Sequence, residues 1–133
     1  AVTLLPDDWN AGFFLLDTGF ERSASEYINR FTGRYDADAD FAKAIDAEWT
    51  APANAAIDAL IASDHIALWQ HTARLSPFQR REFADFIPEN LHKKWTGKGY
   101  LLKLCGAGGG GMMLGLSTDK ELTESALGKV FWV

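Results

Sequence analysis

Apolar residues along the chain form short unbroken runs and longer segments with helical spacing. The run "GFFLLDTG", Gly12 to Gly19, is bounded by glycines and rich in aromatic residues, which is typical of a strand buried on both faces. The preceding "VTLL" is expected to pair beside it. After Gly97 and Gly99, the runs "YLLKLCG" and "GMMLGLS" predict two strands joined by a glycine loop. The final "KVFWV" predicts a closing strand.

The middle of the chain has the periodicity of helices. "SASEYINRF" predicts a helix from about Ala24 toward Phe31, and the alanine-rich stretch from Asp38 to about Leu75 repeats its large apolar residues at helical spacing. We expect this stretch to be helix in several pieces. Pro52 suits the first turn of one piece, and Ser63 or Asp64 could cap the next.

Two later helices are predicted from capping boxes, in which Ser or Thr precedes Glu or Gln by three positions. Ser76 and Gln79 form one such pair in "SPFQRREFADFIP", and Pro77 suits the first helical position. Thr118 and Glu121 form another in "STDKELTESALG". Each box predicts that a new helix begins there.

The order of elements is strands, a block of helices, a strand pair, a helix and a strand. This order predicts an α+β domain with helices packed on one face of a mostly antiparallel sheet. A chain of 133 residues is the size of one ordinary domain, so we expect residues 1–133 to form one folding unit.

The charge balance excludes some classes of partner. The net charge is -5 and the pI is about 5.1, whereas nucleic-acid-binding proteins concentrate Lys and Arg on one face. No apolar stretch approaches the roughly 20 residues that a membrane helix requires. We therefore expect neither a nucleic acid nor a membrane as a partner.

Cysteine and histidine usage indicates neither a disulfide nor a metal site. Cys105 is the only cysteine, which excludes an internal disulfide and suits a reducing cytoplasm. His65, His71 and His92 are not spaced to place two metal ligands on one helix face.

The stretch "LCGAGGGGMMLG" has five glycines in the six positions from 106 to 111. Glycine loses more backbone entropy on folding than any other residue, so the run needs a use that side chains would obstruct. A dinucleotide fingerprint requires a helix at its third glycine, and a P-loop requires Lys followed by Ser or Thr; neither follows here. We expect an ordered loop whose amides face an anion. A tight structural corner that needs positive φ is the open alternative.

Three segments carry a resemblance to a known family. "YLLKLCGAGGGGMMLGL" resembles the third motif of the GHMP kinases, a family that includes galacto-, homoserine, mevalonate and phosphomevalonate kinases. "FFLLDTGFERSASEYI" is similar to the segment of mevalonate kinase-like members in which a strand ends in a Thr-containing turn, followed by Arg-Ser and a helix. "FQRREFADFIPENLHKKW" resembles a helical stretch of the same members, so the likeness covers nearly the whole chain.

The resemblance implies the ferredoxin-like C-terminal domain of a GHMP kinase over residues 1–133. The family's N-terminal domain, with its Gly-Leu-Gly-Ser-Ser phosphate loop and catalytic Asp, has no counterpart in this sequence. We therefore expect the partners to be this missing kinase domain and a small-molecule substrate. ATP and Mg²⁺ are expected to bind the full-length enzyme and not this chain alone, which supplies no catalytic residue. Apolar surface left exposed on the chain is expected to allow homodimers.

The resemblance also implies which residues border the site. The loop beside the phosphates and substrate comprises Gly106, Ala107, Gly108, Gly109, Gly110 and Gly111. The residues on the substrate side are Asp17, Thr18, Arg22 and Ser23. Two of these have structural alternatives, since Asp17 could cap a turn and Ser23 a helix.

One position departs from the pattern of the mevalonate kinases. They commonly carry Thr where Ala24 stands, so the identity of the acceptor stays open. The alternative function is a stand-alone, non-catalytic binding or regulatory domain with the same fold.

Overall fold

A computed structural model describes residues 2–19, 24–105 and 111–133. Its strands are β1 (Phe13–Asp17), β2 (Thr96–Gly97), β3 (Tyr100–Lys103), β4 (Met112–Ser117) and β5 (Phe131–Trp132). Its α-helices are α1 (Ala24–Ala37), α2 (Ala39–Ala44), α3 (Ala51–Ile61), α4 (His65–Glu82) and α5 (Lys120–Leu127). A π-helical turn (Ile45–Thr50) joins α2 to α3, and two 3-10 helices (Ala84–Phe86 and Glu89–Lys94) follow α4.

The described strands form one antiparallel sheet in the order β2-β3-β4-β1-β5. β3 and β4 are neighbours, as expected of two strands joined by the glycine loop, and Lys103 pairs with Leu114. β1 pairs with β4 along its whole length, from Phe13 opposite Leu116 to Asp17 opposite Met112. The predicted α+β class with an antiparallel sheet is confirmed.

Both faces of the sheet are covered. On one face, Leu116 packs against Ala56 and Ala59 of α3 and Leu68 of α4. The other face carries a larger core, which includes Trp95 and residues of α1 and the 3-10 segment. This core comprises Phe14, Leu16, Tyr27, Phe86, Ile87, Leu91, Trp95, Tyr100, Leu102, Leu104, Met113 and Val130. α3 and α4 thus account for the predicted helical face, and the second face is closed by other parts of the chain.

The prediction that a new helix begins at Ser76 is wrong. α4 continues without a break from His65 to Glu82, with Pro77 on its exposed side. Ser76 and Gln79 are buried; Ser76 binds strand β3 and Gln79 binds the residue that follows it, instead of capping a helix. The Ser76 hydroxyl donates to the Leu102 carbonyl over 2.8 Å, and the Gln79 Oε1 accepts the Leu104 N–H at 2.9 Å.

The other predicted helix starts have mixed outcomes. Asp64 caps α4 by accepting the Ala67 N–H, and Pro52 lies in the first turn of α3, both as predicted. α5 is present, but its cap is Asp119, which accepts the Leu122 N–H at 3.0 Å. The predicted cap, Thr118, therefore lies one residue before the actual cap. Thr and Asp are both good helix caps, and the helix begins after the second of the two.

The expected pairing of "VTLL" beside β1 does not occur. Residues 2–5 have no strand structure, and Val2 and Leu4 are exposed. The edge of β1 is taken by β5, and the Val133 N–H donates to the Phe13 carbonyl. Within the described part of the chain, no helix is both long and apolar enough to cross a membrane.

Gly115 should be required by the packing of the sheet. It lies opposite Phe14, whose ring would overlap a Cβ at position 115. We expect Gly115→Ala to lower the free energy of unfolding by about 1–3 kcal/mol, the usual cost of overpacking, in urea denaturation. Gly33→Ala is the control, because a Cβ there meets nothing within 4 Å; it should raise stability by about 0.5–1 kcal/mol. Equal stability of Gly115→Ala and the unmodified chain would contradict the packing.

Candidate functional site

One end of the sheet brings together the segments that the sequence singled out. β1 and β3 both run antiparallel to β4, so their C-terminal ends lie beside the start of β4. The end of β1 carries residues 17–19, the end of β3 carries residues 104–105, and residue 111 immediately precedes β4. We call this group of residues the loop edge.

Thr18, the residue after β1, forms two hydrogen bonds with Gly111, the last residue of the glycine motif. Its backbone N–H and its hydroxyl both donate to the Gly111 carbonyl, at 3.0 and 2.7 Å. The Asp17 carboxylate accepts the Gly19 N–H at 2.9 Å, which closes the turn after β1. The C-terminal end of the glycine motif is therefore held against the Asp17 turn.

Backbone geometry explains the glycines at both sides of this contact. Gly19 and Gly111 have φ of +73° and +67°, in the left-handed region that favours glycine. A Cβ at either position would meet nothing within 4 Å, so space does not exclude a side chain there. Among the described residues, nothing fills the space beside these two glycines.

Leu104 follows β3, and both its backbone N–H and its carbonyl form hydrogen bonds with side chains. Its N–H donates to Gln79 Oε1, and its carbonyl accepts from Lys103 Nζ at 3.1 Å. The Lys103 side chain is half-buried, and its Nζ lies 5.1 Å from the centroid of the Trp49 ring. Burial lowers the pKa of the Lys103 ammonium group. Cys105, the residue after Leu104, is exposed. These bonds fix the chain just before the glycine motif.

The predicted site residues divide into two groups. Asp17, Thr18 and Gly111 are brought together, and their polar groups hold the turn, which agrees with the structural alternative for Asp17. The other predicted residues lie outside the described residues, so their roles stay predictions. These are Gly106, Ala107, Gly108, Gly109, Gly110, Arg22 and Ser23.

Two apolar cavities lie beneath the helices, and the first of them reaches the loop edge at Leu104. The first, of about 420 Å³, lies between α1, the π-helical turn, α4 and Leu104; we call it the α1–α4 cavity. The second, of about 300 Å³, lies between α3, α4 and the sheet, and Lys103 lines it. Trp49 lines both. The sequence analysis missed these cavities and the role of Gln79, because both depend on which elements pack together.

Across residues 2–19, 24–105 and 111–133, no three His, Cys, Asp or Glu side chains are grouped in a way that could hold a metal ion. The described part of the loop edge carries the Asp17 carboxylate, the Thr18 hydroxyl and the Cys105 thiol beside backbone amides, of which those of Thr18, Gly19 and Leu104 already donate within the chain. Such groups can orient an anionic or hydroxyl-bearing ligand.

Comparison with known proteins adds a structural relative. No family model and no curated protein sequence matches the chain. Among solved structures, the chain is similar to the mevalonate kinase of L. major in complex with R-mevalonate, with a TM-score of 0.60 and 19% sequence identity. The similarity covers 86% of this chain and 36% of that enzyme. The two proteins share a fold, and this chain spans about a third of the enzyme's length.

The double hydrogen bond at Gly111 can be tested by removing the Thr18 hydroxyl. Thr18→Val keeps the shape and the backbone N–H but loses the bond to the Gly111 carbonyl. We expect the free energy of unfolding to fall by about 0.5–1.5 kcal/mol, the usual net worth of one hydrogen bond, in urea denaturation. Thr18→Ser retains the hydroxyl and should be the milder change. A larger loss for Thr18→Ser than for Thr18→Val would argue against the contact.

Proposed function

We propose that this chain is the C-terminal domain of an ATP-dependent GHMP-type kinase, similar to mevalonate kinase, that phosphorylates a hydroxyl group of a small metabolite. Two independent lines support the proposal. The fold is that of a segment of L. major mevalonate kinase, although the identity is only 19%. The sequence "KLCGAGGGG" resembles the third motif of the same family.

The observation that carries the proposal is the contact between Thr18 and Gly111. It fastens the end of the glycine motif to the turn that follows β1. These two segments resemble the parts of GHMP kinases that border the phosphates and the substrate. Among the described residues, none lies within 4 Å of a Cβ built at Gly19 or Gly111, which is compatible with a ligand that approaches the backbone there.

The proposed contribution of this chain is positioning and electrostatic stabilisation. Phosphoryl transfer needs little else from the protein, because the developing charge is spread over the oxygens of the transferred group. ATP with Mg²⁺, held elsewhere in the enzyme, supplies that group. Backbone N–H groups of residues 106–111, where only Ala107 carries a Cβ, would donate to its oxygens. Arg22 and Ser23 are proposed to face the acceptor.

The partner in this proposal is the N-terminal domain of the same kinase. The L. major enzyme extends well beyond the 36% that this chain matches. The chain also exposes large apolar residues, including Ile57 at 55% and Ile66 at 74%, which a second domain or a second copy could cover.

The activity can be tested on the full-length protein with γ-labelled ATP, Mg²⁺ and a panel of acceptor alcohols. The panel contains R-mevalonate, homoserine and galactose, because Ala24 leaves the acceptor open. We expect transfer of label to one acceptor. The isolated 133-residue chain should show no turnover and no ATP-dependent rise in melting temperature. Turnover by the isolated chain would refute the proposal that the N-terminal domain is needed to bind ATP and to supply the catalytic residue. No transfer by the full-length protein would favour the non-catalytic alternative.

The glycine motif can be tested by Gly109→Val in the full-length protein. A side chain there should displace the amides, and a misplacement of about 1 Å costs roughly 100-fold in rate. We expect turnover to fall by about that factor while the melting temperature changes by only a few degrees. Gly33→Val is the matched control, since a Cβ at Gly33 meets nothing within 4 Å. Unchanged turnover of Gly109→Val would remove the loop from the site.

A further inference from the structure

The α1–α4 cavity has the dimensions of a small-molecule site. Its volume of about 420 Å³ lies in the range of roughly 300–1,000 Å³ that is common for such pockets. Its walls come from four parts of the chain and are mainly apolar. They include Phe31, Trp49, Phe83, Phe86 and Leu104.

Gln79 supplies a polar group to this cavity. Its side chain is only 4% exposed and lines the cavity. The orientation of its amide is fixed, because the Leu104 N–H can only donate and so must contact the oxygen. The other end of the amide is therefore Nε2, which is not among the fully buried polar atoms without a partner and so keeps access to the open space of the cavity. An acceptor oxygen bound there would take the place of solvent at this donor, and the apolar walls would strengthen the hydrogen bond.

None of the described residues that line the cavity is charged, and the charged residues beside Phe31 and Phe86 of its wall are paired. Arg34 forms an ion pair with Glu82 at 2.7 Å, and Arg30 forms one with Asp85. Lys103 contacts the Trp49 ring but lines the second cavity. A neutral ligand therefore fits the α1–α4 cavity better than an ion does.

We propose that the α1–α4 cavity binds a neutral amphipathic small molecule. Its aromatic or branched apolar body would pack among the Phe side chains, and a carbonyl, ether or hydroxyl oxygen would accept a hydrogen bond from Gln79 Nε2. This proposal does not depend on the kinase function. It does bear on the loop edge, because the same amide holds Leu104, one residue before Cys105 and the glycine motif.

The test uses two probes of similar size on the full-length protein, 4-phenyl-2-butanone and n-butylbenzene. The ketone carries the acceptor oxygen and the hydrocarbon does not. Ligand-observed NMR titrations should give a Kd for the ketone about three- to tenfold lower, the equivalent of one hydrogen bond. Gln79→Met should abolish this preference while leaving hydrocarbon binding in place.

A second variant keeps the test decisive even if Gln79→Met fails to fold. Ile28 lines the cavity and is 53% exposed, so Ile28→Trp should fill the entrance without disturbing the core. We expect it to weaken both probes at least tenfold. Ile66→Trp, on an exposed position outside the cavity, is the control and should bind both probes as the unmodified protein does.

Four results would each overturn the proposal. They are equal affinity for both probes, no binding of either probe, a ketone preference that survives Gln79→Met, and binding that Ile28→Trp does not weaken.

Discussion

Two buried side chains of helix α4 bind the backbone of β3 and of the residue that follows it, on the edge of β3 away from β4. β2 is only two residues long and pairs with Tyr100 and Leu101, which leaves the rest of that edge without a strand partner. Ser76 and Gln79 lie on one face of α4 and bind Leu102 and Leu104 in place of a strand. A helix thus completes the ladder, and the edge is protected from pairing with other chains.

The turn of α4 that contains Ser76 and Gln79 also contacts the core on the other face of the sheet, the loop edge and the α1–α4 cavity. The Ser76 carbonyl accepts from the indole of Trp95, which is fully buried in the core of the second face. Gln79 joins the loop edge to the α1–α4 cavity through the two ends of one amide. The positions of Leu104 and Gly111, on either side of residues 106–110, therefore depend on helix packing as well as on the sheet.

Much of this architecture could be predicted from sequence because it rests on local pattern. The strands around the glycine motif followed from short apolar runs, and the neighbouring positions of Asp17, Thr18 and Gly111 agree with the segments singled out beforehand. The role of Gln79 could not be predicted, since Ser-x-x-Gln has the same letters in a cap as in a buried helical turn. Its use depends on Leu104, a residue 25 positions away. The cap of α5 was missed for a local reason, because Thr118 and Asp119 are both suitable.

Trp49 belongs to the π-helical turn and is a wall shared by both cavities. A single indole thus partitions the apolar space beneath the helices. Replacement by a small residue would enlarge both cavities at this shared wall. The size of the apolar space on each side therefore depends on the bulk of one aromatic ring.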